Sequence, residues 1–267
     1  MLDQATTDDI ARRIDVAFRT RERIRPPSAQ YAGMTIEDAY AVQRAWIKLK
    51  LSQGRTLKGQ KIGLTSRAMQ SVSNITEPDY GALLDDMFYT DGGDIPVNRY
   101  IEPRLEVELA FIMGRRLKGP NATIFDALAA TDYVVPAVEI VDLRVLTVDP
   151  ETKANRKVID NIADNAGAAA LVTGGRPIRP DAADLRWVGA LCLRNGVIEE
   201  SGVAAAVLNH PANGVAWLAN KLAPFDVALE PGQVVLAGSF TRVVPCRAGD
   251  VFHVDYGPLG SISCRFV

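Results

Sequence analysis

The run Leu105-Glu106-Val107-Glu108-Leu109-Ala110-Phe111 sets two acids into an apolar stretch with the period of a β-strand, so alternation turns both carboxylates to one face. Carboxylates roughly 6–7 Å apart repel by about 2–3 kcal/mol at an effective dielectric near 20, and apolar neighbours add a desolvation cost. A strand face turned to water relieves that cost, and so does a cation. Glu139 favours the cation, because it lies inside a second apolar run, Tyr133-Val134-Val135-Pro136-Ala137-Val138-Glu139-Ile140-Val141, where an unpaired charge is expensive. The chain holds only His210 and His253, and Cys192, Cys246 and Cys264 are widely spaced. A His/Cys zinc site is therefore poorly supported, whereas three carboxylates suit Mg²⁺ or Mn²⁺.

The 267 residues are enough for one large domain with a helical extension. Hydrophobic residues make up 48% and charged residues 23%, and the formal net charge of −2 gives no nucleic-acid footprint. Arg12-Arg13 and the basic residues from Arg19 to Arg25 are interleaved with acids and read as a solvated helix face. An odd number of cysteines without a CxxC pair fits a reducing compartment. The first ten residues lack a basic start and an apolar segment, and no later run is long enough to span a bilayer, so a cytoplasmic protein is expected.

Helical periodicity is expected over about 7–23, and Thr35-Ile36-Glu37-Asp38 opens a second helix through a capping box with Asp in place of Glu. After Gly54 to Gly59 the texture changes to short β-like runs at 59–63, 105–113, 133–143, 187–194, 233–237 and 250–256. The expected division is a helical segment over 1–58 and a catalytic domain over 59–267. Arg194-Asn195-Gly196-Val197 signals a hairpin, and helices are expected at 123–130 and 211–222, the latter entered through His210-Pro211. The class is α+β, rich in antiparallel strand. Trp187 and Trp217 read as core residues, and His253 with Asp255 as one outward strand face. Asp149 to Asn165 is polar and reads as a solvated loop or a lid. There is no GxGxxG after a strand, no Walker lysine loop and no GxSxG elbow.

Lys61, in a short strand before Gly63, could project into a pocket and lose basicity through desolvation, or could be a surface lysine. Asp79, in Glu77-Pro78-Asp79-Tyr80-Gly81, reads by composition as a turn residue. Leu236-Ala237-Gly238-Ser239-Phe240-Thr241-Arg242 offers small residues, hydroxyls and N–H groups to an approaching carboxylate, or is a Gly/Ser turn.

Lys61-Ile62-Gly63-Leu64-Thr65-Ser66, the segment Glu77 to Met87, Glu106-Val107-Glu108, Ile162 to Ala166 and Asn209 to Asn213 together resemble the hydratase/decarboxylase family of meta-cleavage pathways, within the fumarylacetoacetase-like superfamily. The resemblance covers essentially the full length. It implies a distorted β-roll or barrel core and Glu106, Glu108 and Glu139 as ligands of Mg²⁺ or Mn²⁺. It further implies Lys61 and Asp79 as acid/base groups, and Leu64, Ser66, Gly238, Ser239, Phe240 and Arg242 around a small 2-oxo acid. Such an acid chelates a hard cation through its carboxylate and keto oxygens. The activity implied is addition of water to an unsaturated seven-carbon 2-oxo dioate. Hydration of a five-carbon dienoate, decarboxylation of a six-carbon 2-oxo dioate, and a non-catalytic 2-oxo-acid-binding partner are the alternatives. Arg67, Arg104 and Arg242 are candidates for the second carboxylate by placement alone. Neither a nucleic acid nor a membrane is an expected partner, and large homo-oligomers are implied.

Overall fold

The long apolar runs become the central strands of a mixed sheet. A computed structural model describes every residue from Met1 to Val267 apart from the side chains of Ala68, Met69 and Val72. Its helices are α1 (Gln4–Thr20), α2 (Pro27–Gln30), α3 (Ile36–Ser52), α4 (Arg67–Ser73), α5 (Ile124–Ala130), α6 (Val158–Ala163) and α7 (Pro211–Leu222). The strands are β1 (Leu57–Gly63), β2 (Asp79–Leu84), β3 (Phe88–Thr90), β4 (Asp94–Ile95), β5 (Arg104–Met113), β6 (Thr131–Val141), β7 (Ala168–Thr173), β8 (Gly189–Arg194), β9 (Val197–Val203), β10 (Val234–Leu236), β11 (Val244–Pro245), β12 (Val251–Asp255) and β13 (Ser261–Phe266).

One sheet runs β2-β1-β10-β5-β6-β7-β3, with β11 pairing a further stretch of β5, and the second runs β4-β13-β12-β8-β9. Most pairs are antiparallel; β1/β10, β3/β7 and β4/β13 are parallel. The two sheets share a core: Tyr256, beyond β12, donates its hydroxyl to the Ala137 carbonyl of β6 at 2.6 Å, and its ring meets Phe240 edge to face. The N-terminal helices join that core. Gln43 is fully buried on α3 and donates to the carbonyls of Tyr80 and Ile162, while Tyr40 stacks on Tyr80 at 4.5 Å.

Local signals explain the element ends. Thr35 and Asp38 form the expected capping box, with Asp38 Oδ2 also accepting from Thr35 N at 3.0 Å. Asn195 and Gly196 both take positive φ, as a two-residue hairpin of this type requires. His210 caps α7, its Nδ1 accepting from Ala212 N at 3.1 Å. His253 and Asp255 are exposed on one side of β12.

Three expectations need correction. β8 starts at Gly189 rather than 187, because Asp184 Oδ1 accepts from Arg186 N and turns Leu185–Trp187 into a 3₁₀ segment. Trp187 is consequently 68% exposed and is no core residue, whereas Trp217 is partly buried against the core and meets Tyr80 edge to face. Asp79 opens strand β2 and is buried, not a turn residue.

The polar segment from Asp149 to Asn165 is anchored, neither a free loop nor a loose flap. The Asp149 side chain has no exposed surface and accepts from Arg25 Nε at 2.8 Å and Nη2 at 3.2 Å, Thr152 N at 2.7 Å and Glu151 N at 3.0 Å. Further on, Arg144 and Asp164 form a buried ion pair, with Arg144 also donating to the Asp164 and Ala168 carbonyls.

The Arg25 hydrogen bonds, then those from Thr152, hold the Asp149 carboxyl below its usual range. A depressed folded-state value means that the carboxylate favours folding above the unfolded value near 4, and that this contribution is lost as the pH falls below it. Asp149→Asn is therefore expected to lower the urea midpoint at pH 7 and to narrow the gap to wild type between about pH 4 and 2. Midpoints that fall in parallel over that range would contradict this role.

Candidate metal centre and active site

Register builds the site. In the β5/β6 ladder Glu106 lies directly opposite Glu139, and Glu108 opposite Ala137, so the strand period places all three carboxylates on one face. One carboxylate oxygen from each lies within 4.8 Å of the others. Glu108 and Glu139 are fully buried, and Glu106 is partly exposed where it borders a cavity of about 930 Å³. At that separation each pair of charges repels by roughly 3–4 kcal/mol at an effective dielectric near 20.

Neighbouring strands supply the rest. β1 pairs with β10, which pairs with β5, and this places Lys61 over the acids with Nζ 3.2 Å from Glu139 Oε1. Asp79 faces Gly63 across β1/β2. A Cβ on Gly63 would fall 2.3 Å from Asp79 Oδ1 and 3.4 Å from Lys61 Nζ, so glycine leaves the room that both side chains occupy. β2 is held in place by Asn165, which exchanges two hydrogen bonds with the Ala82 backbone at 2.8 and 2.9 Å. Asn165, Ala166 and Gly167 all take positive φ, and Ala166 and Gly167 line the cavity.

Burial dominates the electrostatics. It pushes Glu139 up to about 7 against the pull of Lys61, and Asp79 up to about 6 against the same pull. Burial raises Glu108 well above the ordinary range, with Glu139 and Glu106 adding to it, and raises Glu106 against Lys61. Lys61 departs from expectation. Burial does pull it down, but Glu139, Glu106, Asp79 and Glu108 outweigh that pull and hold it above the ordinary lysine value.

Glu108 Oε1 and Glu139 Oε2 are buried without a hydrogen bond. Buried, mutually repelling carboxylate oxygens with open lone pairs fit a hard divalent cation. When ionised, the three carboxylates carry more negative charge than the single Lys61 ammonium balances.

The substrate candidates separate on inspection. Leu64, Ser66, Ser239, Phe240 and Arg242 line the cavity. Gly238 does not, and its N–H is committed to Glu108 Oε2 at 2.8 Å, from a backbone of φ 116° that glycine accommodates. That hydrogen bond orients the Glu108 carboxylate. Arg242 is paired with Glu200, and Arg104 with Glu102. Arg67 is exposed and outside the lining. Arg23 and Arg156, both in the lining, were missed; Arg23 belongs to a stretch read as solvated helix, but it lies beyond the end of α1 and pairs with Glu102.

The fumarylacetoacetate (FAA) hydrolase C-terminal family matches residues 58–267. Over 267 residues, all of both chains, the sequence is 65% identical to 2-oxo-hept-4-ene-1,7-dioate hydratase of Escherichia coli. It is 36% identical to 2-hydroxyhexa-2,4-dienoate hydratase of Comamonas testosteroni, covering 100% of this chain and 99% of that one. The solved 4-oxalocrotonate decarboxylase of Pseudomonas putida G7, complexed with magnesium and adipate, superposes with a TM-score of 0.94 at 35% identity over 100% and 99% of the two chains. The fumarylacetoacetase-like fold expected from the motifs is the fold observed.

Mg²⁺ at 100 times its dissociation constant is expected to stabilise the protein by about 2.7 kcal/mol, or roughly 5–10 °C in melting temperature for a chain of this size. Glu108→Gln should remove most of that shift in a calorimetric melt. A wild-type melt that ignores Mg²⁺ would sink the metal assignment.

Proposed function

The chain belongs to the fumarylacetoacetate (FAA) hydrolase family, and from that premise we propose that it is a Mg²⁺-dependent hydro-lyase adding water to 2-oxohept-4-ene-1,7-dioate to give 4-hydroxy-2-oxoheptanedioate. The observation that carries this reading is the 65% identity to a hydratase of that name over the whole of both chains. The buried acid trio beneath Lys61 supports it. We extend the proposal to a role in homoprotocatechuate (4-hydroxyphenylacetate) catabolism, to a cytoplasmic location and to a large homo-oligomer. The name of that relative and the family resemblance support the extension, and among the described residues no helix is long and apolar enough to cross a membrane.

Glu106, Glu108 and Glu139 would hold the ion. A bound Mg²⁺ supplies Lewis acidity toward the carboxylate and keto oxygens of a 2-oxo acid. The remaining chemistry is proton movement. Enolisation of the 2-oxo-4-ene takes a proton from C3 to give the 2-hydroxy-2,4-diene, reketonisation with protonation at C5 leaves the C3–C4 alkene conjugated with the keto group, and hydration then delivers hydroxyl to C4 and a proton to C3. Lys61, with Nζ 3.2 Å from Glu139 Oε1, would carry one of these protons. Asp79, pushed up to about 6 by burial, would accept and return a proton near neutrality. Phe240 and Val141 give the cavity wall apolar surface.

A sister reading, decarboxylation of a six-carbon 2-oxo dioate, is favoured by the 0.94 superposition on a decarboxylase. Incubating the Mg²⁺-loaded protein with freshly generated dienoates of five, six and seven carbons, while following ultraviolet absorbance and CO₂, separates the two. Loss of the diene band without gas, fastest for the seven-carbon dioate, is expected. Gas release would replace hydration with decarboxylation, and no turnover at all would leave a binding protein.

Lys61→Met keeps the stem and removes the charge. Its kcat is expected to fall by roughly 10²–10⁴, the usual range for a lost acid/base group, with the Mg²⁺-dependent melting shift retained. Undiminished turnover would take the lysine out of the mechanism.

A further inference from the structure

A seven-carbon dioate held by one end at the acids carries its second carboxylate roughly 7–8 Å away, given C–C bonds near 1.5 Å, and that anion needs a cationic partner in the cavity. Four arginines line the cavity: Arg23, Arg104, Arg156 and Arg242. Three of them are already in ion pairs, two of these sharing one carboxylate. Arg23 Nη2 lies 2.8 Å from Glu102 Oε2, Arg104 Nη2 lies 3.2 Å from Glu102 Oε1, and Arg242 Nη2 lies 2.9 Å from Glu200 Oε1.

Arg156 differs. It is half-buried, and its Nη1 donates to the Val145 carbonyl at 2.8 Å, which fixes the guanidinium without cancelling its charge. Among the described residues it makes no ion pair within 4.0 Å. The acids around it are engaged elsewhere: Asp142 accepts from the Ile101 and Glu102 N–H groups, Asp164 pairs with Arg144, and Asp160 accepts from Ser28 and from Lys157 N. Burial opposes its charge most strongly, Asp164 and Asp160 favour it, and Arg23 and Arg104 stand close enough to oppose it.

The three neighbouring arginines attach to alternate residues leading away from the acids. Arg104 pairs with Val141 in the β5/β6 ladder, Arg23 Nε donates to Leu143 O at 3.1 Å, and Arg156 holds Val145 O. Glu102 alone pairs with two of them, so this wall carries a positive surplus.

Resting on the dioate reading above, we propose that Arg156 is the specificity-determining residue that binds the far carboxylate of the substrate, with Arg23 and Arg104 shaping the positive wall around it. The far anion completes a pairing that the protein leaves open at this one lining arginine. Two oxygens of a carboxylate match the fork of a guanidinium, so lysine at this position would serve less well.

The test uses unreactive saturated ligands on the full-length, Mg²⁺-loaded protein. Calorimetric affinities are measured for 2-oxoheptanedioate and for 2-oxoheptanoate, which has the same length without the second carboxylate. Wild type is expected to prefer the dioate by roughly 30-fold or more, as for a desolvated charge pair. In Arg156→Met the ratio of the two affinities should collapse toward one, and in Arg156→Lys it should recover in part. A wild-type ratio near one overturns the proposal. So does a ratio unchanged in Arg156→Met, whether or not both affinities fall together, or a ratio that collapses in Arg104→Ala but not in Arg156→Met. Dienoate turnover by wild type is read separately: a protein that prefers the dioate but hydrates none of the dienoates upholds Arg156 and defeats the hydratase reading.

Discussion

Everything in the site follows from one cross-strand pairing, Glu106 against Glu139. Like charges directly opposite each other destabilise an antiparallel pair, and here the pair lies in a sheet whose neighbouring residues Leu105, Val107, Val138 and Ile140 have no exposed surface. A one-residue slip would bury leucine and valine against the cavity and drive the acids into the core, so the apolar pattern that builds the sheet also enforces the unfavourable pairing. The fold tolerates it through two compensations. Lys61 contributes a buried ammonium, and burial lifts the proton affinity of Glu108 and Glu139 so that protons can occupy the space a cation would otherwise fill.

The surrounding architecture keeps that arrangement from relaxing. Glu108 cannot swing away while Gly238 N donates to it, and Gly238 is fixed because the chain after β10 continues along β5 through Ala237 N to Leu109 O and Phe240 N to Val107 O. Asp79 cannot withdraw while Asn165 clasps the backbone of β2. Asn165 in turn follows Asp164, which is locked by Arg144 in a buried, multiply bonded pair. Such a pair contributes little net stability when compared with apolar residues, but it defines one geometry. The strained left-handed turn at 165–167 thus has a structural support on each side.

Much of this could be read from residue patterns because the determining interactions are local. Strand alternation placed Glu106 and Glu108 together, an acid inside an apolar run marked Glu139, and the cap at Thr35, the Asn-Gly turn and His210-Pro211 each announce an element end through neighbouring atoms. What escaped depends on contacts between distant segments. The rise in Lys61 basicity needs four carboxylates from three other strands, and composition around Lys61 signals only desolvation. Trp187 looked buried because it borders an apolar strand, yet a single Asp184 side chain turns the chain there and exposes it. Arg23 and Arg156 read as solvated charges, and their segments meet at the cavity wall through the parallel bridge of Ile24 to Val145 and the Arg156 hydrogen bond to the Val145 carbonyl.

The division between what is local and what is assembled also separates the acid centre from the arginine wall. The acids, Lys61 and Asp79 come from regular strands paired edge to edge, whose side-chain positions are set to within the pleat. The far wall comes from the start of β5, the chain after α1, the connection beyond β6 and the run before α6, the last three joined by isolated β-bridges and carbonyl–arginine hydrogen bonds rather than by the long sheet ladders. Changing a wall arginine alters charge at the far end of the cavity without moving the strand ladder. The same logic explains why the wall is pinned so firmly. An open loop would surround an anion with water as readily as with arginine, whereas Asp149 and Arg25 fix the segment carrying Arg156 before any ligand arrives, which lowers the ordering cost of binding.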